Sequence, residues 1–203
     1  MKTFMDVNRA LLPFAIFSLL FARGMPVAAI CAGLVASAAI SAWWTYRHDI
    51  NALELAVLAI FGLLTLGVLL FPDAVADSAL TLALIGLGVF AAASVLVRRP
   101  WTAEFSRAEY VNEASDPLFI AVNIIVSGAW GALFLLLAAA SALKAGLAVT
   151  LAIVMFGADI SMVGPKVLIR KALARRFAAR KTYHWPAPAL GGALAAANSM
   201  SRW

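Results

Sequence analysis

Apolar runs about as long as a bilayer core is thick leave a chain few ways to fold, and this one carries six in succession. They extend from about Asn8 to Ala22, Val27 to Trp44, Ala52 to Phe71, Ala79 to Val97, Leu118 to Ala140 and Ala145 to Val163. In lipid a backbone N–H or C=O finds no water, so a crossing segment must satisfy its own polar groups, as a helix does. Roughly 20 residues at 1.5 Å rise cover the hydrocarbon. Five runs are of that length. The first is shorter, with Pro13 near its start, where a first helical turn tolerates proline. It fits a thin span, a re-entrant piece or a surface helix. Lys2, the apolar stretch and Val27-Ala28-Ala29 also have the layout of a signal peptide, although we expect the segment to be retained. The expected fold is all-α. Residues 1–165 form a polytopic transmembrane helix bundle of about six spans, and 166–203 a basic cytoplasmic arm and tail.

Composition narrows the function classes. Hydrophobic residues make up 64% of the chain and charged residues 13%, with a mean hydropathy of +0.95. A soluble domain is nearer half apolar and a quarter charged. The single cysteine, Cys31, lies within an apolar run, which excludes a disulfide framework and a cysteine metal site. Both histidines, His48 and His184, lie outside the runs, so the paired ligands of a membrane haem are missing. No phosphate-binding loop, zinc-protease motif or nucleophile elbow occurs. We expect no enzyme, no cofactor and no metal. The net charge of +6 is explained by basic residues flanking spans rather than by nucleic-acid binding.

Those basic residues orient the chain. If all six runs cross, Lys2, Arg9, Arg47, Arg98, Arg99, Arg107 and the eight basic residues of the tail share one side, fourteen of the sixteen. Arg23 and Lys144 are left on the other. If the first run does not cross, the division is twelve to four. By the positive-inside rule both arrangements place the C-terminus in the cytoplasm, and six spans, N-in and C-in, fit better. The expected location is the bacterial inner membrane. Trp43, Trp44 and Tyr46 fall at the cytoplasmic headgroups, as does Trp101. Residues 72–78 read as a short acidic loop on the outer side.

The longest central polar interruption is Arg98 to Arg107. Pro100 ends the helix before it. Thr102 reads as the N-cap of a short helix, with Glu104 near its positive end. Trp101, Phe105 and Ala108 recur on one face, the pattern of a helix lying on the membrane surface. We take 98–117 as a cytoplasmic interfacial segment that anchors the loop or serves as a docking surface, with Arg98, Arg99 and Trp101 as candidate functional residues.

Within the spans, Ala29, Gly33, Ser37 and Ser41 recur every four residues, a stripe that lets helices approach closely. Gly62, Gly67, Gly86, Gly88 and Ser94 read the same way. Asn123, Ser127 and Trp130 share one face of the fifth span, as an inter-helix hydrogen-bond cluster or the lining of a pocket. Asp159 lies inside the sixth span, within reach of Lys166, Arg98 or Arg99; it reads as a structural ion pair or as a proton or ligand group. Glu54 suits the positive end of its helix. Lys166, Arg170, Lys171, Arg175, Arg176, Arg180 and Lys181 form an arm without acidic residues, suited to anionic lipids or a partner.

The layout resembles the bacterial intracellular septation protein A family and small inner-membrane proteins similar to it. The matching pieces are Leu12-Pro13-Phe14, Trp44 to Arg47, Phe61-Gly62-Leu63-Leu64-Thr65-Leu66, Arg98-Arg99-Pro100, and Asn123 followed by Trp130. The sequence departs from that pattern at Leu63, in the thinned basic loop Arg47-His48-Asp49 and in the long basic tail. The resemblance implies a polytopic protein with a role in envelope organisation. Two functions are expected from these readings. One is a non-enzymatic membrane protein acting by association with other membrane proteins, as a scaffold or accessory subunit. The alternative is a small transporter or channel using Asp159 and the Asn123/Trp130 face.

Overall fold

Helices follow one another with little chain between them. The computed structural model describes residues 2–47, 50–107, 117–146, 149–155 and 157, with side chains from Arg9 onward. The order is α1 (Lys2–Ala22), α2 (Pro26–Tyr46), α3 (Ala52–Leu70), α4 (Pro72–Leu96), α5 (Trp101–Ser106) and α6 (Pro117–Ala142). Residues 149–155 are also helical, and no strand occurs among the described residues. The chain divides into two compact units, Met1–Lys166 and Val167–Trp203, and every described residue belongs to the first.

Four helices, α2, α3, α4 and α6, are long and apolar enough to cross a membrane. Pro26, Pro72 and Pro117 open α2, α4 and α6. A proline at the first helical position loses no intrahelical bond and has its φ already set. Three helices end in the same closure. At the ends of α1, α4 and α6 the amides of Gly24, Arg98 and Lys144 bond back to Phe21, Val95 and Ser141. The next amides, Met25, Arg99 and Ala145, reach Leu20, Ser94 and Ala140. This is the Schellman arrangement, which needs a left-handed residue after the cap. Gly24 takes it at φ 74°, Arg98 at 55° and Lys144 at 50°.

Two sequence expectations change here. Residues 72–78 are not an outer loop but the first two turns of α4, so that Phe71 alone joins α3 to α4. Pro72 starts the helix and Asp73 complements its positive end. Helix α1 begins at Lys2, which places Pro13 inside the helix instead of in its first turn. Arg9–Ala22 is its apolar part, shorter than the four long spans.

The helices alternate in direction, and contacts fix which ends share a level. Arg9 in α1, Trp44 at the end of α2 and Glu54 at the start of α3 meet at one end. The end of α4 and the start of α6 join them through α5. At the opposite end Gly67 faces Val75, and the Thr81 hydroxyl donates to Ser141 Oγ at 2.9 Å.

Between these ends lies a core of Phe14, Phe17 and Phe61, with ring centroids 5.2 and 5.4 Å from Phe61 to the other two. Ala29, Gly33, Ser37 and Ser41 are all buried on α2. Gly33 lies flush with the Phe61 ring: a Cβ there would come within 2.6 Å of Phe61 Cδ1. Gly86 packs on Ile60, and Gly88 and Gly131 bring α4 and α6 together. Gly62 differs from its sequence reading. A Cβ added there meets nothing within 4 Å, so it lies on an open face.

Candidate functional site at the α5 end of the bundle

Helix α5 has six residues, and its apolar face is turned into the bundle; residues 108–116 of the expected interfacial segment lie outside the described residues. Trp101, Ala103 and Phe105 are 3, 2 and 5% exposed, and the helix touches α1, α3, α4 and α6. Trp101 and Phe105 meet edge to face at 5.8 Å and belong to the same apolar core as Phe14 and Phe61. The spacing of these residues gave the apolar face correctly. It could not tell a face turned to lipid from one turned to protein, since both want the same residues. Trp101 is therefore a core residue and not a headgroup anchor.

Two polar groupings tie α5 down. In the first, the Thr102 side chain leaves its own helix; Pro100, not Thr102, is the N-cap, and it offers no side-chain bond. Thr102 Oγ1 stands 3.0 Å from Asn123 Oδ1, 3.1 Å from the Asn123 carbonyl and 2.9 Å from Ser127 Oγ. Its amide donates to Ser127 Oγ at 3.4 Å. Asn123 Nδ2 donates to the Phe119 carbonyl, completing the amide. Asn123 and Ser127 thus meet α5. Trp130, on the same helix face, is half-buried and meets Phe134 one turn on, with ring centroids 5.5 Å apart.

The second grouping surrounds the start of α3. Asn51 and Glu54 form a reciprocal capping box, with Asn51 Oδ1 accepting from the Glu54 amide at 3.0 Å. Glu54 is 2% exposed, and its carboxylate also accepts from Arg9 Nε at 2.7 Å. The Arg9 guanidinium lies 3.7 Å from the Trp44 ring centroid, an attraction of cation to π face. A further orphan amide at this helix start, Ala52 N–H, donates to Glu104 Oε2 of α5 at 2.8 Å. Two carboxylates at one positive helix end are favourably placed. Glu104 thus caps a helix other than its own. Asn51-x-x-Glu54 was readable as a capping box. The partners Arg9 and Glu104 were not, because they come from 45 and 52 residues away.

Among the described residues, two buried side-chain atoms lack any hydrogen-bond partner, Trp101 Nε1 and Ser41 Oγ. The hydroxyls of Ser37, Thr65 and Ser94 bond back to a carbonyl one turn earlier. Arg98 and Arg99 are exposed. Arg47 lies over Trp43, 5.0 Å from its ring centroid. Asp159 and the arm from Lys166 to Lys181 lie outside the described residues. No group of three or more metal-ligating side chains occurs among the described residues.

Fold and site together define an all-helical, multi-pass membrane protein. In comparisons with protein-family models, curated proteins and solved structures, nothing matches this chain.

Proposed function

We propose that the chain is a non-enzymatic inner-membrane protein of six spans, the first one short, that acts by associating with other membrane proteins. The observation that carries this reading is how the interior polar side chains are used. Arg9 and Glu54, Thr102 with Asn123 and Ser127, and Thr81 with Ser141 answer one another across helix pairs. Such contacts fix a bundle rather than line a pathway. The outer faces offer long apolar surfaces instead, with Leu63 69%, Leu66 53% and Leu69 76% exposed on α3.

An orientation with both termini in the cytoplasm is supported by the sharing of one end by Arg9, Arg47, Arg98, Arg99 and Arg107. Arg9 reaches that end while α1 runs on to Ala22 at the other, which supports a crossing α1. The basic arm would add contacts to anionic lipids. An envelope-organising role rests on the resemblance to septation protein A.

The reading is tested by placing a photo-crosslinking residue in turn at Leu63, Leu66 and Leu136, all outward-facing, in living cells. One membrane protein should be recovered repeatedly from sites on one outer face and not from the others. Adducts to lipid alone at every outward position would overturn it.

A further inference from the structure

We propose that the seam between α4 and α6, on the side away from α5, binds a phospholipid of net negative charge with its headgroup on Arg98 and Arg99. Gly88 and Gly131 bring the two helices together. A Cβ on Gly131 would stand 3.2 Å from Ala91 Cβ and 3.6 Å from the Gly88 carbonyl oxygen. The helices are antiparallel, with Gly88 level with Leu135 and Thr81 with Ser141. At about 100° per residue, the position four after Gly88 and the one three before Gly131 turn to the same side of the seam. These are Ala92 and Gly128. Ser94 and Ser127 turn to the other side, where both bond to α5.

Ala92 and Gly128 leave a hollow. Both are exposed, and a Cβ added to Gly128 meets no described atom within 4 Å. Toward the middle of the bundle the hollow stops at Leu135, whose side chain lies over Gly88, 2.7 Å from where a Cβ would stand. At the other end come Leu96 and Val97, strongly exposed, and then Arg98 and Arg99. From Gly88 to Arg98 is about 15 Å at 1.5 Å rise per residue, half of a hydrocarbon core of roughly 30 Å. The hollow is therefore one leaflet deep, the reach of an acyl chain. Charge completes the match. Glu54 is engaged by Arg9 and Glu104 by the Ala52 amide, and neither Arg98 nor Arg99 meets a carboxylate among the described residues. Two adjacent guanidiniums at the level where apolar surface ends suit a phosphodiester, whose oxygens accept paired N–H bonds from arginine. A zwitterionic headgroup adds an ammonium, which the arginines repel. The inference needs α4 and α6 to cross the membrane, as their length and hydropathy allow; it does not depend on the association reading or on which side faces the cytosol.

The experiment uses the full chain in phosphatidylcholine nanodiscs holding a minor share of a photoactivatable lipid. Its diazirine lies on the acyl chain, and its headgroup is either phosphatidylglycerol or phosphatidylcholine. Adducts are mapped by peptide mass spectrometry, and those on 85–96 and 125–135 are divided by those on the exposed α3 face around Leu63 and Leu66. This ratio should be about tenfold higher for phosphatidylglycerol. Arg98→Gln with Arg99→Gln should remove the excess, whereas Arg23→Gln with Lys144→Gln, at the other end, should leave it. Gly128→Leu, which fills the hollow from an open position, should bring the two lipids to the same ratio. Free inorganic phosphate in excess should not displace the lipid. Equal ratios in the native chain would overturn the inference, as would an excess that survives the loss of both arginines. An excess that persists in Gly128→Leu, or that inorganic phosphate abolishes, would show that the arginines attract anions without a seat for lipid between the helices, and the inference fails then too.

Discussion

Glu54 and Arg9 carry the largest single-residue consequence. The carboxylate side chain is 1% exposed and the arginine 16%, so Glu54 depends on Arg9 for its charge to be tolerated. Removing one partner of such a pair strands the other, whereas replacing both with apolar groups of similar size is often neutral. Glu54→Gln should lower stability by about 2 kcal/mol, below the fully buried range because Arg9 retains some exposure. Arg9→Met combined with Glu54→Leu should recover most of that loss. Thermal unfolding in one detergent reports both, and equal losses for the single and double variants would contradict the pairing. At this scale the sequence was half legible. The Glu54 position followed from its place at a helix start, and the small residues Ala29, Gly33, Ser37 and Ser41 from their spacing. Long-range partners were hidden, because no periodicity links Arg9 to Glu54 or Thr102 to Asn123.

For the elements, helix ends decide more than helix middles. The spans themselves are legible from hydropathy, since lipid forces any long apolar run into a helix. Their limits are not. Acidic residues at 73 and 77 looked like loop, yet Pro72 and Asp73 are favourable in a first turn, and α4 takes them in. The three left-handed closures make a signed prediction. Glycine holds this conformation without steric cost, and other L-residues do not. Arg98→Gly and Lys144→Gly should each raise stability by about 0.5–1 kcal/mol, and Gly24→Ala should lower it by a similar amount. Calorimetry of the three variants checks the pattern; a loss for both glycine substitutions would show that the basic side chains matter more than the backbone.

On the scale of the whole molecule, alternation of helix direction places Asp73 and Ser106 at opposite ends of the bundle. With the native thiol removed, Asp73→Cys should react with an impermeant thiol reagent on intact cells. Ser106→Cys should react only after the membrane is opened. Reversed labelling would invert the orientation proposed above, and labelling of both from outside would deny that α4 crosses. The sequence spoke to this scale through its uneven distribution of lysine and arginine, which bears on sidedness but not on contacts. It gave no sign that α5 would be drawn into the bundle, because burial in protein and burial in lipid select the same side chains.

Phe71, the sole residue between α3 and α4, bears on how the protein is made. Two spans hinged on one amino acid have no slack with which to enter the bilayer separately. The insertion machinery must accept them as a folded-over pair, with the bend leading and both legs following.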